Sequence, residues 1–303
     1  MTMSHTRRFT LSLLFAVLLA WPASASAAPR IQTVSFQSEA LGGERRYRVY
    51  VPPGYHKSRK RYPVIILLHG LGGSGQDWFT SGRLADTVDR LIKKRVIRPV
   101  ILVAPDGGDG YWTDHRPTKE STAADRRNYG TFVTEEVLSD VDRRLRTRLG
   151  ERAVAGVSMG GHGAMSVGLQ FPERFRAIVS LGGALFPTPP SHRAIYKRVW
   201  GDPVNDAHWR ATSPMALIEA RPLKGSKAQG LTPFPPIYLH CGDDDEFGFL
   251  PYALAAHERL RERGIDHQLR VSDGGHSWTA WRSLSEDWLH FVDRQWVGGG
   301  ANK

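Results

Sequence analysis

Cysteine is almost absent: Cys241 is the single one in 303 residues, so no disulfide within the chain can staple the fold. No cysteine ends the N-terminal apolar stretch either, which argues against a lipid anchor there. Internal repeats, heptads and low-complexity tracts are missing, and with them solenoids, coiled coils and long disordered tails. There is no zinc-ligand spacing and no platform of aromatic and basic residues, so nucleic-acid binding is not expected. The apolar stretch FTLSLLFAVLLAW (residues 9–21) is too short for a comfortable bilayer span.

That stretch has a different reading. Arg7 and Arg8 precede it and ASASAA follows it, with Ala25 and Ala27 forming an A-x-A site. Residues 1–27 are therefore expected to be a general export leader cleaved after Ala27, making the mature protein secreted or periplasmic. Residues 28–303, in a chain of 41% hydrophobic composition, can form one large domain. The net charge of +11 is scattered apart from HKSRKR at residues 56–61. Electrostatic contact with an anionic cell envelope is one use for it, and a solvated basic surface is the plainer one.

Short apolar runs alternate with amphipathic segments. RYRVYVP (residues 46–52) alternates like a half-exposed strand, and the amino-end strands are expected to pair as a hairpin or meander. Residues 63–69, 99–105, 153–157, 177–183 and 236–241 are continuous apolar runs of the kind buried on both faces of a parallel sheet. Residues 267–273 read as one further strand. Helical periodicity covers residues 133–149, 252–264 and 277–297. This order predicts an α/β architecture, a mostly parallel central sheet with helices on both faces. Residues 185–235, rich in Pro and Trp, fit neither period and are read as a cap or a long-loop insertion.

The chemistry begins at AVAGVSMGGHGAM (residues 153–165). Gly156, Val157, Ser158, Met159 and Gly160 spell G-x-S-x-G between an apolar run and a small-residue helix, the setting of a nucleophile elbow. A bare G-x-S-x-G among 31 glycines means little, and the strand before and helix after are what give it meaning. An attacking hydroxyl needs a base, a group to orient the base, and donors for the oxyanion. LLHGLGGSG (residues 67–75) lies at the end of another central strand, and the N–H groups of Leu71 and Met159 are assigned to the oxyanion hole. His69 precedes the serine and is read as a brace for that loop. His276, in the Gly-rich turn DGGHSW before the last helix, is assigned as the base.

HCGDDDEFGF (residues 240–249) lies after a strand and before a helix, where the triad acid of this chain order belongs. It lacks the alternating spacing of a calcium loop. Adjacent acids repel, so one is expected to work while the rest face water. Alternation sets Asp243 and Asp245 on one side, and chemistry alone leaves those two tied.

VAPDGGDGYWTD, VSMGGHGAM, CGDDDEF and GGHSW resemble the esterase D-type putative esterase family. That group includes S-formylglutathione hydrolases, feruloyl and acetyl-xylan esterases and mycolyltransferases. The resemblance spans roughly residues 46–291. It implies an α/β-hydrolase fold and places the acid three residues after the strand-ending Gly242, at Asp245, with Phe247 as the following aromatic. It also makes Tyr111 and Trp112 candidate cleft residues, with ordinary packing the equal alternative. His162, beside the elbow, is a further candidate for substrate contact, although packing is the commoner fate of such a residue. S-formylglutathione hydrolases are cytoplasmic, which the export leader does not suit.

The expected function is an exported serine esterase with a Ser158–His276–Asp245 triad, needing neither metal nor organic cofactor. Its substrate is expected to be a small-molecule or polysaccharide-linked ester. An acyltransferase using a sugar or lipid hydroxyl in place of water is the alternative. A non-catalytic envelope or polysaccharide-binding protein on the same fold is the second.

Overall fold

The computed structural model describes residues 30–115, 127–190, 193–225 and 230–296. The expected leader at residues 1–27 lies outside the described residues. Among the described residues one sheet runs through the molecule: β1 (Ile31–Ser38), β2 (Gly43–Tyr50), β3 (Tyr62–Leu68), β4 (Ile101–Pro105), β5 (Thr147–Val157), β6 (Ala177–Leu181), β7 (Ile237–Gly242) and β8 (His267–Ser272). Their order across it is β1-β2-β4-β3-β5-β6-β7-β8. β1, a strand with no counterpart in the sequence reading, forms an antiparallel hairpin with β2; β2 runs antiparallel to β4, and the rest of the sheet is parallel.

The continuous apolar runs behave as strands covered on both sides. In β3, Val64, Ile66 and Leu68 enter one hydrophobic cluster while Ile65 and Leu67 enter the other, on the opposite face. Helices cover those faces: α1 (Leu84–Lys93), α2 (Tyr129–Thr131) continuing through a wider turn at Phe132–Val137, α3 (Leu138–Arg144), α4 (Met159–Gln170), α5 (Ala194–Trp200), α6 (Asp206–Thr212), α7 (Pro214–Glu219), α8 (Leu250–Glu262), α9 (Trp278–Ser283) and α10 (Ser285–Asp293). This is the α/β-hydrolase arrangement. No helix among the described residues is long and apolar enough to cross a membrane.

Several boundaries differ from the sequence reading, each for a local reason. The helix expected over residues 133–149 stops at Arg144, because Leu145 is extended and Thr147 already pairs with Tyr62 of β3. The closing helix expected over 277–297 breaks at Leu284. There the hydroxyls of Ser283 and Ser285 take the Ala280 and Trp281 carbonyls. β1 and α1 had no counterpart in the reading. The interval 185–235 holds α5, α6 and α7, and its Phe186 and Tyr196 reach the cavity described next.

Candidate active site

β5 ends at Val157 and α4 begins at Met159, so the chain reverses at a single residue, Ser158. Its backbone sits at φ 56°, ψ −121°, a region that costs a non-glycine residue about 1–3 kcal/mol. Neighbouring backbone holds it there. Ser158 N donates to Leu181 O of β6 at 2.9 Å, and Ser158 O accepts from His162 N at 3.1 Å and Ala184 N at 3.3 Å. The turn closes only because Gly156 and Gly160 have no side chains. A Cβ on Gly156 would strike the Gly160 carbonyl, and one on Gly160 would strike that of Leu68.

His276 arrives from the loop after β8, at the same end of the sheet. Its Nε2 lies 2.7 Å from Ser158 Oγ and its Nδ1 lies 2.7 Å from Asp245 Oδ2. The His276 and Asp245 side chains are only 6% and 1% exposed. An ionised Asp245 accepts hydrogen bonds only, so Nδ1 carries the proton and Nε2 is left to accept from the serine hydroxyl. The other Asp245 oxygen, Oδ1, accepts the N–H groups of Phe247 at 3.1 Å and Phe249 at 3.4 Å. Phe247, Phe249 and Trp281 meet the imidazole edge to face and fence it in. Cys241 contributes a thiol 3.6 Å from Asp245 Oδ2. Burial, with the nearby carboxylate as the lesser cause, pushes that thiol up to about 12, where it is inert.

The tie between Asp243 and Asp245 is broken by position: Asp245 alone of the pair reaches the imidazole. The expectation that the remaining acids merely face water needs correcting. Glu246 Oε2 accepts His276 N at 2.8 Å, and Asp243 Oδ1 accepts Gly274 N at 3.0 Å. Both are exposed, yet they tie down the loop that carries His276. The His276 N–H bond holds the Glu246 carboxyl below its ordinary value. Asp243, Asp244 and Asp273 bring carboxylate oxygens within 4.8 Å of one another at the surface, a group able to attract a cation.

Leu71 lies across the cleft from the elbow loop, in a turn so close that a Cβ on Gly70 would stand 3.3 Å from that of Ser158. The N–H groups of Leu71 and Met159 have no protein acceptor among the described residues, whereas Gly72 N and Gly75 N are taken by Asp109 Oδ1 and Asp106 Oδ1, each at 2.8 Å. Asp106 and Asp109 follow β4 and were missed in the sequence, because an acid bonding a distant glycine N–H has no local signature. His69 braces the same loop. Its Nδ1 meets Gly70 O at 2.8 Å and its Nε2 accepts Gly107 N at 3.2 Å, while burial lowers its pKa.

Two candidate cleft residues lie elsewhere. Trp112 is buried, wedged against Gly107 and Gly163 with its Nε1 donating to His69 O at 3.1 Å, so it supports the loop carrying Leu71 from behind. His162 is also buried, with Nδ1 donating to Ala184 O at 2.8 Å and Nε2 without a partner among the described residues. Its ring packs among Tyr111, Phe186 and Trp200 and is not part of the cavity lining. Tyr111 does line the cavity.

Burial holds His162 and, on β7, His240 down to about 4. In the unfolded chain both imidazoles take up a proton below about 6.5, and in the fold not until about 4. Their contribution to stability is thus complete above pH 6.5 and lost as the pH falls between those values. Each is expected to cost on the order of 2–3 kcal/mol by pH 4. Urea unfolding across that range should show the decline. His162→Asn, which keeps a donor for the Ala184 carbonyl, should remove that residue's share of the decline and leave the share of His240; an equal decline in that variant would assign the effect to other groups.

The cavity over Ser158 measures about 670 Å³ and is walled largely by aromatic rings: Tyr111, Phe186, Tyr196, Phe249, Tyr252 and Trp281. Its size suits a small organic substrate.

Comparison with known proteins gives the family of the chain. The chain matches a family model described as "Putative esterase" over residues 38–289. An esterase of Mycobacterium tuberculosis is 28% identical over 270 residues, covering 82% of this chain and 56% of that relative, so this chain spans about half of its length. An acetyl esterase of Caldicellulosiruptor saccharolyticus is 27% identical over 241 residues, covering 72% of this chain and 78% of that one. Among solved structures, a ferulic acid esterase superposes with a TM-score of 0.67 at 27% identity, over 88% of this chain and 98% of its own. An S-formylglutathione hydrolase from Agrobacterium tumefaciens shares the fold, with a TM-score of 0.72 at 23% identity over 88% and 95% of the two chains. With its family model matched across most of its length, this chain belongs to the esterase family.

Proposed function

We propose that the protein is a serine-dependent carboxylic-ester hydrolase whose substrates carry an aromatic or compact apolar group. The observation that carries this reading is the unbroken relay from Ser158 Oγ through His276 to Asp245, both links 2.7 Å long. Ser158 Oγ attacks the ester carbonyl as His276 Nε2 takes its proton. The carbonyl oxygen becomes an oxyanion, held by the N–H groups of Leu71 and Met159 at the positive end of α4. Asp245 stabilises the imidazolium and keeps its ring oriented. His276 then returns the proton to the departing alcohol oxygen, leaving an acyl-serine. Water, deprotonated by the same Nε2, attacks that acyl group, and collapse of the second tetrahedral species frees the acid and restores the serine.

The aromatic walls support the substrate class, as does likeness to a structure named a ferulic acid esterase. A fluorophosphonate probe tests the nucleophile directly, since it reacts with an activated serine and not with an ordinary one. Stoichiometric labelling of the folded protein, mapped by peptide mass to Ser158, is the expected result. No labelling, or labelling elsewhere, would refute the reading and revive that of a binding protein on this fold. Acylated product formed on an added sugar acceptor would instead favour acyl transfer over hydrolysis.

A further inference from the structure

One cation stands in the otherwise largely aromatic lining of the cavity: Arg193, the residue just before α5. Many other arginines are committed to acids, Arg48 to Asp106, Arg98 to Asp293, Arg152 to Asp142 and Arg259 to Glu219. Arg193 is exposed; its carbonyl accepts Tyr196 N at 3.0 Å and Lys197 N at 3.4 Å, but its guanidinium has no ion-pair or hydrogen-bond partner among the described residues. The acid in the same lining, Asp77, is already engaged, with Oδ2 accepting Ser74 N at 2.8 Å in a capping box. In the same lining the Tyr111 hydroxyl donates to that of Tyr196 at 3.3 Å, a polar spot within the aromatic wall. Tyr111 and Arg193 both line this one cavity.

Resting on the ester-hydrolase reading, we propose that Arg193 is a specificity residue that selects esters bearing a carboxylate, held by the guanidinium while the ester group lies at Ser158. A guanidinium offers a planar fork that matches a carboxylate in two parallel hydrogen bonds. An unpaired cation at the cleft also draws anions towards it. The carboxylate can belong to the acyl half or to the alcohol half of the ester, and the same recognition serves either.

Two matched pairs of esters separate these. para-Nitrophenyl hemisuccinate against para-nitrophenyl butyrate varies the acyl half, and para-carboxyphenyl butyrate against para-carbamoylphenyl butyrate varies the alcohol half. The readout is the ratio of kcat/KM for anionic over neutral ester within each variant, so a general loss of activity cancels. In Arg193→Gln the ratio is expected to fall about tenfold in at least one pair. That loss should lie in KM, because the carboxylate is bound alike in ground and transition states. Arg193→Glu should lower the ratio further, and about 0.5 M salt should erase most of the wild-type preference. The responding pair identifies the half of the ester that carries the charge. Ratios unchanged in Arg193→Gln for both pairs overturn the assignment, whatever Arg193→Glu does, since an added acid repels anions by itself. A wild-type protein inert towards all four esters overturns the ester-hydrolase reading instead.

Discussion

Ser158→Ala is expected to lower kcat/KM for a chromogenic short-chain ester by about 10⁴-fold or more, while the circular dichroism spectrum and unfolding midpoint stay close to wild type. The size follows from the relay. Without Oγ there is no atom for His276 to activate, and no acyl-enzyme can form. What survives is whatever the oxyanion donors and the cavity do for attack by water. The fold should tolerate the change, because the main-chain bonds from Leu181, His162 and Ala184 hold the turn and none uses the hydroxyl. Alanine inherits the same backbone strain at φ 56° that serine bears. Turnover within about tenfold of wild type would mean that the chemistry lies elsewhere.

The second large effect is expected at Asp245. Asp245→Asn should cost on the order of 10⁴-fold in kcat, because an amide N–H facing Nδ1 drives the imidazole proton to Nε2 and so blocks acceptance from Ser158. The neighbouring acid gives the control. Asp243→Asn retains an oxygen for Gly274 N–H and should lose less than about tenfold, since it touches the loop and not the imidazole. Steady-state kinetics of the two variants side by side decide the matter. A harmless Asp245→Asn, or a crippling Asp243→Asn, would exchange their roles.

The sequence disclosed most where one residue type answers one local demand. Continuous apolar runs could only be strands covered on both faces, and β3, β4, β6 and β7 lie where those runs are. Gly156 and Gly160 around Ser158 announced a turn too tight for side chains. His276 in a glycine turn before the last helix was legible for the same reason. Reading failed where a distant partner decides. The helix expected through Leu149 ends early because Thr147 pairs with Tyr62, a strand contact that helical periodicity does not register. For Trp112 and His162 the sequence left cleft and packing roles both open. Tertiary packing turned one onto Gly107 and Gly163 and the other onto the Ala184 carbonyl.

By itself, then, the sequence determined the strand and helix alternation, the elbow and the chemical identity of its three principal side chains, because those depend on local periodicity and local backbone freedom. The family resemblance pointed to Asp245; only the tertiary structure turned it onto His276, set Glu246 and Asp109 to hold the loops of the site, and stood Arg193 in the aromatic cavity. Each of these is a meeting of groups about 30 or more positions apart, or of one residue with a space enclosed by many. Such meetings arise from how the sheet twists and the connections cross its edge, which no short window of residues encodes.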